Sequence, residues 1–119
     1  MSELLEKQFF FTRRLASLIA FAYSNGFKMT LGEAYRTPEQ AQIYAKQGKG
    51  IANSLHISRL AIDLNLFKDG VQLTKTSDYL PLGEYWETLS FDKYKCCWGG
   101  RFKSRPDGNH FSVEHNGIK

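Results

Sequence analysis

Three potential metal ligands and one further carboxylate are the residues of this sequence best suited to chemistry. Six residues separate His56 from Asp63, and His110 follows much later in the segment D-G-N-H-F. A catalytic zinc ion takes three protein ligands, such as His nitrogens and a carboxylate oxygen, and leaves a fourth position open. Asp107, three residues before His110, is a carboxylate that could move protons beside such a site. These residue types predict an open zinc site with an adjacent acid–base group.

The local patterns place two of these residues on one face of neighbouring strands. The run 60–67 is apolar, and its alternation puts Asp63 on the face opposite the larger side chains. His110 starts a second predicted strand, 110–114, and would share a face with Asp63 if the two strands adjoin. A polar loop would then deliver His56 to their edge. Spacing alone leaves open the alternative of separate polar surface residues, because a His–Asp pair is a weak signal.

The remaining patterns predict helices and strands in a mixed order. An apolar stripe at helical spacing precedes Asn25-Gly26, a usual helix end, and Thr37-Pro38 is a typical helix start. Asp69-Gly70 between apolar runs predicts a hairpin. We therefore expect an α+β fold, with an antiparallel sheet and flanking helices, in one domain over 1–119. The predicted helices are 11–22, 37–48 and 80–89, and the predicted strands are 27–31, 60–67, 71–73, 94–98 and 110–114, with a polar connector at 74–78.

Composition sets the broad class of the protein. Apolar residues make up 42% of the chain and charged residues 24%, as in an ordinary soluble globular protein. The net charge of +4 has two interpretations of about equal weight. It could attract a polyanionic partner, such as nucleic acid, an anionic glycan or a membrane surface, or it could simply belong to a solvated surface. The charge comes without a nucleic-acid-binding motif, so no nucleic-acid partner is predicted.

Two further segments argue against other classes of protein. Arg13-Arg14 precede an apolar run that ends near Ala22, but acidic residues come first and no clear cleavage site follows, so no signal peptide is predicted. The run is also too short to cross a bilayer, so stable membrane insertion is not expected. The only cysteines, Cys96 and Cys97, are adjacent, which argues against an internal disulfide and favours buried thiols beside Trp98.

The order of the motifs is more specific than any one of them. S-x-H, six residues and Asp, followed by W-G-G and D-x-x-H-F, resembles the zinc D-alanyl-D-alanine carboxypeptidases and the phage L-alanyl-D-glutamate endopeptidases of bacterial cell walls. The resemblance runs from Glu33 to Phe111 and implies the small α+β fold that these enzymes share with the hedgehog signalling domain. It implies one zinc ion on His56, Asp63 and His110.

The same resemblance assigns roles around the metal. Asp107 would be the general base and acid. Arg36, in the segment Y-R-T-P, would hold a substrate carbonyl or carboxylate and steady the oxyanion. Further substrate contacts are expected from Ser54, Tyr35 and Trp98, although Ser54 could instead order the His56 loop and the two aromatic residues could serve in packing.

Two positions depart from the family pattern, and two residues compete for roles at the site. Arg59 stands four residues before the ligand Asp63, where the family commonly has Gly, and Ser112 replaces a common acidic residue. Arg59 therefore bears on the shape of the loop and on substrate preference. Glu114 is a rival base and His115 a rival ligand, but a solvated carboxylate and an outward-facing strand position are the simpler interpretations.

The sequence thus predicts a zinc peptidase that cuts peptidoglycan stem peptides. An endolysin-type L-alanyl-D-glutamate endopeptidase is preferred, acting as a monomer that is made in the cytoplasm and reaches the wall or periplasm after holin-mediated release. A D-alanyl-D-alanine carboxypeptidase is the alternative enzyme. A zinc-containing wall-binding module without turnover is the alternative from another class, and the presence of Asp107 beside all three ligands argues against it.

Overall fold

A long helix opens the chain, and the computed structural model describes all 119 residues of the sequence. Helix α1 spans Glu3–Ser24, and the Ser2 side chain accepts a hydrogen bond from the Leu5 N–H at its start. Asn25 caps its end, and Gly26 leaves it with a φ of +84°, a backbone conformation that suits glycine. None of the helices has the length and apolar character that a membrane-crossing segment needs.

Five antiparallel strands form the sheet, and they are β1 Lys28–Leu31, β2 Ala61–Lys68, β3 Val71–Leu73, β4 Cys96–Trp98 and β5 His110–Val113. Strand β2 is its long central member and pairs with β1 along one edge. The other edge of β2 is shared, because β5 pairs with its start and the short β3 with its end. Strand β4 completes the sheet beside β5.

One face of the sheet is covered by helices and holds the core. Trp86, fully buried on helix α3 (Leu80–Thr88), packs edge-on against Phe11 of α1 and Phe111 of β5. Its indole N–H donates to the backbone carbonyls of Cys97 and Ser112. The opposite face carries the polar residues of β2 and β5, so the packed helices fix the sheet while these polar side chains gather on its other face.

The predicted α+β class and antiparallel sheet are confirmed, and the differences are local. Helix α1 begins eight residues before the predicted apolar stripe, because the Ser2 cap starts it at Glu3 and its first turns mix polar and apolar residues. Helix α2 is Pro38–Lys46, with Thr37 accepting a hydrogen bond from the Gln40 N–H as its capping pattern indicates. Part of the predicted connector is wrong: Thr76–Tyr79 forms a 3₁₀ turn leading directly into α3.

Close packing around Trp98 explains the glycines near it and gives a stability prediction. A Cβ on Gly83 of α3 would lie 2.1 Å from the Trp98 ring, an impossible contact. We expect Gly83→Ala to lower the free energy of unfolding by about 1–3 kcal/mol, because the buried indole must move. Urea denaturation would measure this, with Glu84→Ala on the exposed side of α3 as the control. An unchanged or higher stability in Gly83→Ala would contradict the packing.

Candidate metal centre

Three side chains from separate parts of the chain meet on the open face of the sheet. His56, Asp63 and His110 each place a potential ligand atom within 4.8 Å of the others. The Asp63 Oδ1 lies 3.5 Å from both His56 Nε2 and His110 Nδ1. The centroids of the His56 and His110 rings are 5.3 Å apart, and the ring planes are inclined at 72° to each other. The structure therefore brings together the three residues that the sequence predicted as ligands.

Strand pairing places two of the three side chains. Asp63 on β2 and His110 on β5 are direct cross-strand partners, so their side chains emerge side by side on one face. On the other edge of β2, the Asp63 N–H donates to the Glu33 carbonyl, and the Gly32 N–H donates to the Asp63 carbonyl. The backbone of Asp63 is thus held from both sides, as a rigid ligand requires.

The loop before β2 places the third side chain. The Ser54 hydroxyl accepts a hydrogen bond from the His56 N–H, and His56 is 3% exposed. His56 Nδ1 lies 3.0 Å from the Ala34 carbonyl, so Nδ1–H donates there and Nε2 is left toward Asp63. Arg59 ends this loop with a φ of +56°, and its guanidinium lies 4.1 Å from the centre of the Tyr35 ring. The loop is therefore fastened at several points.

The electrostatics of this cluster suit a cation. Burial alone would raise the pKa of Asp63, but the contacts with His110 and His56 outweigh it and lower that pKa to about 2. Asp63 Oδ1 and His110 Nε2 are buried, yet neither has a well-formed hydrogen bond. A carboxylate that stays ionised between two imidazole nitrogens is a donor set that zinc accepts. The residues present thus fit the predicted ion.

Asp107 lies beside the cluster on a tightly packed loop. Its N–H donates to the Gly99 carbonyl, and its own carbonyl accepts from the His110 N–H. A Cβ on Gly99 would come within 2.2 Å of the Asp107 carbonyl oxygen, so only glycine allows this approach. Crowding of the Asp107 carboxylate by protein, and then the nearby Asp63 charge, raise its pKa, although the two histidines oppose the change. A raised pKa suits a group that must release a proton near neutral pH.

A small cavity borders the cluster on the β1 side. Arg36 is held there by a close ion pair with Glu33, and its guanidinium lies 5.0 Å from the centre of the Tyr44 ring. With Lys49 and Asp63, these residues line a space of about 370 Å³. Sequence reasoning found Arg36 and missed Glu33, Tyr44 and Lys49. Glu33 stands three residues before Arg36, a spacing that could have indicated the pair.

A second cavity, of about 300 Å³, lies on the other side of the cluster, where Asp107 forms part of its wall. Apart from Asp107, the polar side chains around it are uncharged. They belong to Asn65, Gln72, Thr74, Thr76, Tyr79 and Asn109. A larger groove of about 470 Å³ between Tyr23 and Phe67 shares no residue with either cavity.

The other candidate residues occupy distinct places. Ser54 orders the His56 loop, and Tyr35 is 44% exposed beneath Arg59. Trp98 is 3% exposed, and its indole N–H donates to the Gly108 carbonyl, so its visible role is to support the Asp107 loop. The substrate contacts of these three residues stay predictions. His115 lies outside the cluster, with its Nδ1 3.0 Å from Lys7 Nζ.

The cysteines and Glu114 also lie away from the cluster. Cys96 is a buried free thiol, as predicted, and burial raises its pKa to about 12. Cys97 is free and only partly buried. Glu114 follows the end of β5, where its N–H donates to the Lys95 carbonyl. The metal cluster contains neither a thiol nor the rival carboxylate.

Comparison with known proteins places the fold and the motifs in context. A family model described as D-alanyl-D-alanine carboxypeptidase matches residues 47–113, more than half of the chain. Among solved structures, the chain is similar to the L-Ala D-Glu endopeptidase ChiX of Serratia marcescens. The identity is 18%, the TM-score is 0.67, and the match covers 95% of this chain and 87% of that one.

A second solved structure has a related architecture. It is a Zn(II)-bound variant of the vancomycin-resistance D,D-pentapeptidase VanY from a VanB-type resistance cassette. The identity is 18%, the TM-score is 0.58, and the match covers 87% of this chain and 70% of that one. No curated protein matches the chain. At these identities the two solved structures establish the fold alone.

Proposed function

The chain belongs to the D-alanyl-D-alanine carboxypeptidase family of zinc peptidases, which act on peptidoglycan peptides, and from this premise we propose that it is an L-alanyl-D-glutamate endopeptidase. The observation that carries the proposal is the convergence of His56, Asp63 and His110 beside Asp107. These three side chains hold one zinc ion. When bound, zinc supplies Lewis acidity toward water and a substrate carbonyl.

The residues of the chain supply the proton transfers and the positioning. Asp107 accepts a proton from the water that attacks the peptide carbonyl, and then donates that proton to the leaving amine. Arg36 donates hydrogen bonds to the carbonyl oxygen as negative charge develops there. Because Glu33 and Tyr44 hold the Arg36 side chain, little ordering is left for the moment of reaction. The His56 loop and the paired strands keep the reacting groups in register.

Two known activities frame the choice of scissile bond. The endopeptidase assignment is supported by the fold shared with ChiX, whose name gives an L-Ala D-Glu endopeptidase. A D-alanyl-D-alanine carboxypeptidase is the second candidate, favoured by the description of the matching family and by the likeness to the D,D-pentapeptidase VanY. Both activities use the same proton transfers, and they differ in the residue that leaves.

Digestion of purified peptidoglycan tests the proposal. Zinc-loaded protein and its His56→Ala variant are incubated with the same wall preparation, and new amino and carboxyl ends are identified by mass spectrometry. New L-Ala carboxyl and D-Glu amino ends from the parent alone would support the endopeptidase. Release of terminal D-Ala alone would replace it with the carboxypeptidase. Zinc binding without any product from several wall types would leave a wall-binding module.

Delivery to the wall is a separate part of the proposal. We propose an endolysin role, in which the protein accumulates in the cytoplasm and meets its substrate once a holin opens the membrane. The support is the sequence resemblance to phage endopeptidases. Production of the protein in a susceptible bacterium, with and without a co-produced holin, provides the test. Lysis that depends on the holin is expected, and equal lysis without it would contradict this role.

A proton and a zinc ion compete for the His56 imidazole, so zinc affinity should depend on pH. Burial lowers the pKa of His56, but its contacts with Asp63 and the Ala34 carbonyl outweigh burial and leave the pKa raised above 6.5. In the metal-free protein, stabilisation from protonated His56 is therefore complete below pH 6.5 and is lost as the pH rises through the raised pKa. Zinc needs the neutral imidazole, so its affinity increases over the same interval.

The measurable result is the increase in Tm that zinc produces. We expect this increase to grow between about pH 6 and pH 8, as the proton leaves His56. Thermal unfolding with zinc and with a chelator, at several pH values in buffers of equal ionic strength, provides the measurement. A zinc-induced increase in Tm that is constant across this range would show that His56 does not exchange a proton for the ion.

A further inference from the structure

Charged residues line the two cavities beside the metal cluster differently. The cavity on the β1 side is lined by two cations, Arg36 and Lys49, and by two anions, Glu33 and Asp63. The Arg105 side chain also extends toward Gly48, next to Lys49 in the chain. The cavity on the Asp107 side has amides and hydroxyls around one carboxylate. A peptide that crosses the cluster must therefore place its two halves in different electrostatic surroundings.

The roles of two residues set the direction of the peptide. Asp107 must reach the leaving amine, and it lines the cavity that has no cation in its wall. Arg36 must reach the carbonyl oxygen of the acyl half, and it lines the β1-side cavity together with Asp63. Resting on the proposed function, we propose that the leaving residue occupies the Asp107 cavity and carries an α-carboxamide in preference to a free α-carboxylate. The acyl half lies along the β1-side cavity.

Charge is the reason for the preference. A free α-carboxylate in this cavity would approach the Asp107 carboxylate, and no lysine or arginine lines the wall to compensate. Lys75 lies between two of the lining residues, Thr74 and Thr76, yet does not itself line the cavity. The cations Arg36 and Lys49 belong to the other cavity, across the cluster. The carboxylate would thus gain a like-charged neighbour without a compensating cation.

A carboxamide in the Asp107 cavity avoids this charge repulsion. It offers two N–H donors and one carbonyl acceptor, without charge. The side chains of Asn109 and Gln72 each supply donors and an acceptor, and the hydroxyls of Thr74 and Thr76 can do either. The Asp107 carboxylate is itself an acceptor for an amide N–H. The same wall that lacks compensation for a negative charge can therefore satisfy every polar atom of an amide.

The experiment compares peptides that differ in this one group. Two synthetic stem peptides, L-Ala-D-Glu-L-Lys-D-Ala with the D-Glu α-carboxyl free or amidated, are digested by the zinc-loaded protein and followed by mass spectrometry. We expect kcat/KM to favour the amidated L-Ala-D-Glu peptide by about tenfold. A D-Ala-D-Ala peptide with a free C-terminus is digested in parallel, and its cleavage in place of the L-Ala-D-Glu bond would replace the proposed endopeptidase with the carboxypeptidase and overturn the assignment with it.

A cation introduced into the cavity should reverse the preference. Gln72→Lys adds a positive charge to the wall, and Val71→Lys adds the same charge at the exposed neighbouring position on β3, which faces the other way. The Gln72→Lys protein is expected to favour the free carboxylate, while Val71→Lys keeps the preference of the parent. Equal or faster cleavage of the carboxylate peptide by the parent overturns the assignment alone. Cleavage of no peptide by the parent overturns the proposed function and the assignment with it.

Discussion

Replacement of Asp107 by asparagine is expected to reduce kcat by about 10²–10⁴-fold while zinc binding and the fold persist. The amide keeps the size of the side chain and cannot exchange a proton with water or with the leaving amine. The loop itself is held by two backbone hydrogen bonds, from the Asp107 N–H to the Gly99 carbonyl and from the His110 N–H to the Asp107 carbonyl, which the substitution leaves in place. The substitution should therefore reduce kcat and leave the free energy of unfolding almost unchanged.

Matched variants separate this effect from a general change of charge. Asp92→Asn removes one negative charge at an exposed turn with a φ of +55°, a conformation that asparagine adopts readily. We expect it to keep the kcat of the parent, and Glu114→Gln to do the same. Zinc affinity measured by chelator competition and kcat measured on muropeptides would be compared for all three. Full activity in Asp107→Asn, or its loss in Glu114→Gln, would move the acid–base role elsewhere.

Replacement of Asp63 by alanine is expected to have the second large effect. It removes the one carboxylate that both histidines contact, so zinc affinity should fall by more than about 100-fold, the upper range for loss of an outer-sphere partner. In the parent, zinc at 100 times its Kd should raise Tm by roughly 10 °C. In Asp63→Ala, the same zinc concentration should leave Tm almost unchanged.

The control for this variant comes from the same strand. Asn65 lies two residues further along β2 on the same face, and its side chain donates to the Thr30 hydroxyl. Asn65→Ala therefore perturbs the same face without removing a ligand, and its zinc affinity should match the parent. Chelator competition and thermal unfolding would be run on both variants. A zinc-induced rise in Tm that survives in Asp63→Ala would show that the ion binds elsewhere.

Strand periodicity explains why part of the site could be predicted from the sequence. Alternation put Asp63 and His110 on the faces opposite the bulky side chains, and the structure pairs them directly across β2 and β5. The helix ends were equally readable, since Thr37 and Asn25 act through local hydrogen bonds. These features depend on neighbours in the sequence, or on a pattern that repeats every second residue.

The sequence did not predict the surroundings of the metal cluster, because contacts between distant segments form them. Tyr44 and Lys49 lie on and after α2, and nothing in their local sequence shows that this region borders the cluster beside Asp63. His56 finds its partner in the Ala34 carbonyl, a backbone atom that carries no sequence signal. The neutral wall near Asp107 likewise combines residues of β2, β3 and the loop before β5. Tertiary packing alone brings these groups together.

Trp98 illustrates a limit of motif reasoning. The substrate contact expected of Trp98 stays a prediction, and the structure shows a supporting role: the indole packs against Gly83 and Gly100, and its N–H donates to the Gly108 carbonyl. Each glycine is required because the ring occupies the space of a Cβ. A motif can therefore contribute to a site by supporting a neighbouring loop. Its sequence does not show whether its residues support that loop or contact the substrate directly.

The direct pairing of Asp63 with His110 also has a consequence for how the protein folds. The two residues are 47 positions apart in the chain, so their ladder is a non-local contact that closes a large loop. The complete ligand set forms only when β5 docks on β2, so tight binding of the ion has to follow that docking. Zinc should accordingly act as a brake on unfolding and leave the folding rate almost untouched.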